Sequence, residues 1–388
     1  MAPCLHPLCL MTTATRTPVD ELLDRLAAVE PTELPVLSLY LDTRANDVGR
    51  GDFETFLRKE LKRRVESYGL RSPERESLEA DAARIEEYAR ESLPSSTDTL
   101  ALFACSGTGL FETMPLEATL GESRLFVGTQ PHLYPLARLV EQYRRYAALV
   151  VDSHVARLFV FGLGTALEEH DIHNPKLRRT RVGGWSQMRY QRHVDHRYLK
   201  HAKEAAQALT RTVRDEGIEH VVLGGDDVIL PMVREELPKD VASRIIDVVS
   251  LPVRTPEHQI LAATMESFRR HDAANDVEVV GMLVDEYRAG GLAVVGVVDT
   301  VAALEAGQVD ELVLVAAPIA LARTAISDSP AALAPDELAQ REELAGELVA
   351  RARRTGASVR FVEDTQLLWD QEGVGALLRY RLKPMERP

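Results

Sequence analysis

Lys176, Arg178, Arg179 and Arg181 run into Gly183-Gly184-Trp185-Ser186-Gln187, and Arg189, Arg192, Arg197, Lys200 and Lys203 follow. Asp195 is the only acidic residue between positions 176 and 203. The whole chain carries a formal net charge of -14, so a cationic run around a glycine pair is a local feature and not a reflection of composition. Just downstream, Val194, Tyr198, Ala202, Ala205, Leu209 and Val213 recur on one helical face. That spacing predicts a long helix over 189–216, stopped by Gly217. The glycine pair therefore belongs to a loop that leads straight into a helix.

Each residue type in the loop has a use against nucleic acid. Two glycines accept positive φ and let backbone N–H groups approach a ligand closely. Lys176, Arg178, Arg179, Arg181, Arg189 and Arg192 neutralise phosphates, and Trp185 offers a face on which a base can stack. His193, His196 and His201 are expected to add to this basic surface. Gln187 is a neutral donor and acceptor, so it is no general base at pH 7. It can position water or stabilise developing charge in a site whose remaining walls are RNA. Gly183, Gly184 and Gln187 are thus the candidate reacting positions. The competing reading is a solvated surface loop without a ligand.

With 388 residues, 45% hydrophobic and 27% charged, the chain has material for two or three cores. Its apolar runs are far shorter than the ~20 residues that span a bilayer, so no membrane partner is expected. Three cysteines, Cys4, Cys9 and Cys105, make no disulfide framework and point to a reducing cytoplasm. Residues 1–10 lack a basic n-region, and Met11 offers an alternative start, so no signal peptide is expected. No cofactor or metal is expected either.

The periodicities divide the chain into three segments of mixed α/β character: 1–145, 146–273 and 274–388. The first alternates amphipathic helices with short apolar strands, and Lys59, Lys62, Arg63 and Arg64 fill a solvated helix face. The middle segment opens with a hairpin around Ser153-His154 and continues, after the basic loop, as an α/β unit whose last helix runs from 256 to 270. Asp152, Asp226, Asp227 and Asp247 stand at strand ends, where two metals would suit a nuclease. Asp226-Asp227 is better explained as the cap of a following helix. The third segment shows a helical run over 277–287, an apolar stretch to Val297, a helix capped by Asp299-Thr300, and a closing strand over 373–380. No glycine-rich phosphate fingerprint of the dinucleotide or P-loop type follows any strand, which disfavours a nucleotide enzyme.

Two of these stretches together resemble one family. Gly183-Gly184-Trp185-Ser186-Gln187-Met188-Arg189-Tyr190 resembles the Gly-Gly-Gln loop of the archaeal and eukaryotic class I peptide chain release factors and their bacterial relatives. Gly296-Val297-Val298-Asp299-Thr300, with Ala303 to Gly307 and Gly373 to Tyr380, resembles that family's third domain. The likeness spans roughly 147–381. It implies three consecutive domains, with an extended loop on the central one and a C-terminal α/β/α sandwich like a ribosomal RNA-binding protein. The partners it implies are the ribosome, through rRNA, the A site and peptidyl-tRNA, and a translational GTPase, with no DNA. The activity it implies is codon-independent hydrolysis of peptidyl-tRNA, or ribosome rescue. Trp185 stands where the family has glutamine, and Gln187 comes two positions later. That departure leaves a second expectation beside the first: a non-catalytic hibernation factor that occupies the A site. The asparagine-isoleucine-lysine-serine and tyrosine-cysteine motifs for stop-codon reading are missing, so no codon reading is expected.

Overall fold

The computed structural model describes residues 17–44, 53–94, 97–163, 165–173, 187–322 and 335–381. The first segment contains α1 (Pro18–Ala27), β1 (Val36–Asp42), α2 (Phe53–Glu66), α3 (Pro73–Glu91), β2 (Thr99–Cys105), β3 (Leu110–Leu116), β4 (Arg124–Gly128) and α4 (Tyr134–Gln142). Its strands form one antiparallel sheet in the order β3-β2-β1-β4. Leu57, Leu61, Leu78 and Ile85 of α2 and α3 bury against Leu37, Leu39, Leu41, Leu100 and Leu102, which alternate along β1 and β2. Ser72 caps α3 by accepting from the Arg75 amide, and Pro73 follows with its φ already set for a helix.

The middle segment continues with β5 (Tyr146–Val151), β6 (Val155–Gly162), β7 (Thr165–His173), α5 (Gln187–Asp215), β8 (Val221–Gly225), α6 (Leu230–Glu236), α7 (Lys239–Ala242), β9 (Ile245–Val249) and α8 (Glu257–Arg288). The sheet order is β7-β6-β5-β8-β9, an antiparallel meander joined to a parallel trio. Alternation splits β5 between two layers. Ala147, Leu149 and Val151 join the core that holds α5, while Tyr146 stacks on Phe268 of α8, ring centres 5.5 Å apart. Sequence periodicity misses β7, because its residues 167–171 are all exposed and four of the five are polar. A second correction concerns α8. The runs over 256–270 and 277–287 are one continuous 32-residue helix, since nothing between them breaks it.

The third segment adds β10 (Ala293–Val295), α9 (Val297–Glu305), β11 (Val309–Val315), α10 (Pro335–Arg354), β12 (Ser358–Val362) and β13 (Val374–Leu378), with the sheet order β10-β13-β11-β12. Asp299 and Thr300 lie inside α9 and do not cap it. The capping group is remote in sequence: the Glu372 carboxylate accepts from the Val297 amide at 3.0 Å.

Two compact units result, one built on Arg144–Asp272 and the other on Pro18–Tyr143 together with Ala273–Pro388. Within the second unit the first and third segments are tightly joined. Tyr134 donates its hydroxyl to the Ala316 carbonyl at 2.5 Å and meets the Phe361 ring edge-on. Arg353 reaches Asp20 and Asp24, and Arg354 donates to the Ala27 carbonyl. At the centre is His132, buried and stacked on Phe126 at 3.8 Å. Its amide donates to Ser38 Oγ, and its carbonyl accepts from the Tyr40 hydroxyl. Helix α10 approaches this ring through Gly346, where a Cβ would lie 2.4 Å from His132 Nδ1.

Gly346→Ala is therefore expected to lower the unfolding free energy of this unit by about 1–3 kcal/mol, read as a lower denaturant midpoint, although alanine is the better helix former. Burial pushes the His132 pKa down to about 3. The ring stays neutral in the fold but takes up a proton in the unfolded chain below about pH 6.5, so stability is lost as pH falls from there towards 3. Denaturation series are expected to show up to ~1.4 kcal/mol lost per pH unit in that window, and less in His132→Phe.

Candidate functional site

The second half of helix α5 is held by a buried seam. Ala202, Ala205, Ala206, Leu209 and Val213 lie in the core with Ala156, Leu158, Val160, Ile229 and Val233. Small residues at 202, 205 and 206 let the helix sit close to the sheet, and Leu209 fills the space beyond. Just before this seam, exposure rises among the described side chains. Tyr198 is half-buried, while His196, Leu199 and Lys200 are exposed. Gln187 is already the first residue of α5. Fourteen residues separate it from His201, so the backbone carries it ~21 Å along the helix axis from the buried seam.

The polarity of this projection is unusual. The first turn of α5 has no acidic residue. Unsatisfied N–H groups and the macrodipole already make a helix N-terminus positive, and a stable isolated helix would place carboxylates there. Instead Arg189 and Arg192 occupy its first two turns. A helix start left positive in a chain of charge -14 suits a polyanion.

Lys176, Arg178, Arg179, Arg181, Gly183, Gly184 and Trp185 lie outside the described residues. The residues on either side of 174–186 are placed: His173 ends β7 paired with Val155, beside the β5–β6 turn, and Gln187 begins α5. One expectation is corrected. His201 is fully buried and does not contribute to the basic surface, because it lies on the face of the helix that Tyr198, Ala202 and Ala205 turn towards the core.

The strand-end aspartates serve the backbone. Asp152 Oδ1 accepts from the His154 and Val155 amides, both at 2.7 Å, and closes the β5–β6 turn. Asp226 accepts from the Val228 amide at 3.0 Å and opens the turn into α6. Asp247 accepts from Arg270 at 2.8 Å, and the Ser267 hydroxyl, ahead of Arg270, holds its carboxyl below the usual range. Among the described residues no three His, Cys, Asp or Glu side chains gather as a metal site. Gly225 locks β8 to β5 at this edge. Its φ is 135°, and a Cβ would fall 1.8 Å from the Val151 carbonyl oxygen. Gly225→Ala is expected to cost ~3 kcal/mol or more and to show as lost soluble yield and a lower melting temperature.

Comparison with known proteins adds an independent finding. Residues 131–269 match the family described as bacterial archaeo-eukaryotic release factor family 10. An uncharacterized protein of Mycobacterium tuberculosis is 23% identical over 376 residues, covering 92% of this chain and 96% of its own. Among solved structures, the archaeal translation termination factor aRF1 is 18% identical, with 93% of this chain and 97% of that one covered at a TM-score of 0.26. Saccharomyces cerevisiae Dom34, a translation termination-like factor, is 13% identical, with 75% and 81% covered at 0.41. Ribosome-bound archaeal Pelota is 14% identical, with 94% and 95% covered at 0.40.

Proposed function

We propose that this chain, a member through residues 131–269 of the bacterial archaeo-eukaryotic release factor family, is a ribosome-associated translation factor. Its basic arm, residues 176–203, enters the A site and covers the peptidyl transferase centre without cleaving the ester of peptidyl-tRNA. The observation that carries this reading is the helical state of Gln187. The residue after the glycine pair is Trp185, and by Gln187 the backbone is already committed to α5. A neutral amide that must place water against an ester has to stand beside the glycines. An indole has one N–H and no acceptor, so it stacks well and holds water poorly. Arg179, Arg181, Arg189 and Arg192 then hold phosphates, and work at the ribosome places the protein in the cytoplasm. Among the described residues no helix is long and apolar enough to cross a membrane. A translational GTPase that delivers the factor is part of the same proposal.

Hydrolysis is the second reading, and one observation favours it. The Gln187 amide is at the positive start of α5, among the N–H groups that no helical carbonyl satisfies, where an oxyanion would be stabilised. Purified ribosomes separate the two. With labelled peptidyl-tRNA in place, release is expected to stay at background, while vacant ribosomes co-pellet with the protein. Release above background that Gln187→Ala abolishes would establish hydrolysis instead. Failure to pellet with ribosomes at low salt would remove both.

Arg189→Glu with Arg192→Glu is expected to cut ribosome binding at least tenfold and to flatten its log–log salt dependence by about one unit per lost phosphate contact. The same variant is expected to keep its thermal stability, because a carboxylate in the first turn suits the dipole. Pelleting across a salt series beside a melting curve reads both effects.

A further inference from the structure

We propose that the loop end of the third segment's sheet, where Val298, Ile319 and Trp369 are exposed around Glu372, is a docking surface for a basic polypeptide that seats an apolar side chain there between lysines or arginines. The surface belongs to the unit that lacks the arm, so the inference is independent of what the arm binds. Separate stretches of chain converge on Glu372. Its carboxylate accepts from the Val297 amide at the start of α9, and its carbonyl accepts from the Ala322 amide at 2.8 Å. A Cβ on the neighbouring Gly373 would lie 2.7 Å from the Ala320 carbonyl oxygen. Val298 directly follows the first of these contacts, Ile319 lies in the 3-10 turn Pro318–Ala320, and Trp369 opens the 3-10 turn Trp369–Gln371 that Glu372 ends.

The surface made there is apolar and fixed. Val298 is 79% exposed, Ile319 40% and Trp369 37%. An exposed β-branched residue in the first turn of α9 does nothing for the helix, so its side chain is explained by neither helix propensity nor the core. Glu372 and Ala322 hold φ of 56° and 57°, a left-handed backbone that strains any residue with a Cβ. Such strain persists where surrounding contacts over-determine the chain, as they do around Glu372. A patch held in this way meets a partner without first having to be ordered.

Charge selects the partner. Asp299 is exposed beside Val298, Asp370 is exposed beside Trp369, and Asp364 opens the turn that leads to them by accepting from the Gln366 amide. Arg341 also reaches this end, where it donates to the Ile319 carbonyl, but the carboxylates outnumber it. A surface of that sign repels phosphates, which disfavours RNA. A second copy of the chain would bring the same aspartates face to face across a two-fold interface. A cationic polypeptide suits both features: its apolar side chain covers Val298 and Trp369, and its charges meet the aspartates.

Trp185 and Trp369 are the two tryptophans of the chain, so the full chain with Trp185→Phe reports on Trp369 alone by fluorescence. The probe is a short peptide of lysine and leucine, beside counterparts with glutamate for lysine and serine for leucine. The lysine–leucine peptide is expected to move Trp369 emission to shorter wavelength, and the two counterparts to leave it unchanged. Val298→Ser with Ile319→Ser is expected to weaken binding by about tenfold or more, and Asp299→Asn with Asp370→Asn by about fivefold at low salt. Melting curves check that both double variants keep the fold; should either melt early, the exposed single changes Val298→Thr and Asp370→Asn carry the comparison. No shift with the lysine–leucine peptide, undiminished affinity in the variants, or a Trp369 shift produced by single-stranded RNA would overturn the proposal. So would a shift that grows with protein concentration alone, the mark of self-association.

Discussion

The central unit depends on how closely α5 can lie on its sheet. Ala202, Ala205 and Ala206 present almost no side chain to β5 and β6, and that proximity lets Leu209 and Val213 reach the core shared with α6. A larger residue at any of the three would lift the helix and open a gap along its length. This seam occupies the second half of a 29-residue helix. A loop carried at the end of a rigid lever is positioned far more accurately than one hung on a flexible connection.

Charge completes what the lever begins. The chain is acidic overall, yet the helix start that carries the loop lacks the carboxylates that would stabilise it. In terms of folding alone this is a poor choice, worth a few tenths to about one kcal/mol for each misplaced charge. Against RNA it is the right one, since a positive helix end and arginines on the first two turns release counterions when they meet phosphates. The same arm therefore gives up some helix stability in solution and recovers it on a polyanionic surface.

The other unit shows what backbone chemistry can do across long sequence separations. Some 180 residues separate Tyr134 from Ala316, and over 200 separate His132 from Gly346, yet these pairs make one packed body of the first and third segments. Glycine at 346 is unfavourable within a helix, and its presence is explained only by the ring it accommodates. The Glu372 carboxylate at the start of α9 works in the same way, satisfying an amide 75 positions earlier in the chain.

Much of this was open to reading from residues alone. The amphipathic pattern from Val194 to Val213 and the stop at Gly217 located α5 to within two residues, because a buried face repeats with the helical period whatever surrounds it. The hairpin at Ser153-His154 was legible for similarly local reasons, whereas the helix cap expected of Asp226-Asp227 is not formed: α6 starts after Ile229 without a side-chain cap, and Asp226 closes the preceding turn instead. Other features carry no local signal. β7 exists because β6 offers it a partner edge, although 167–171 are all exposed. α8 runs unbroken through 271–276, where no glycine or proline interrupts it, although its two apolar runs read as separate helices. The burial of His201, and the pairing of His132 with Gly346, depend on which faces meet after folding. Sequence by itself determined the periodic helices, the turns and the charge of the arm, since these arise from neighbours within a few residues. Tertiary structure alone decided which polar groups are sealed from water and which glycines face a ring, because those depend on contacts between residues far apart in the chain.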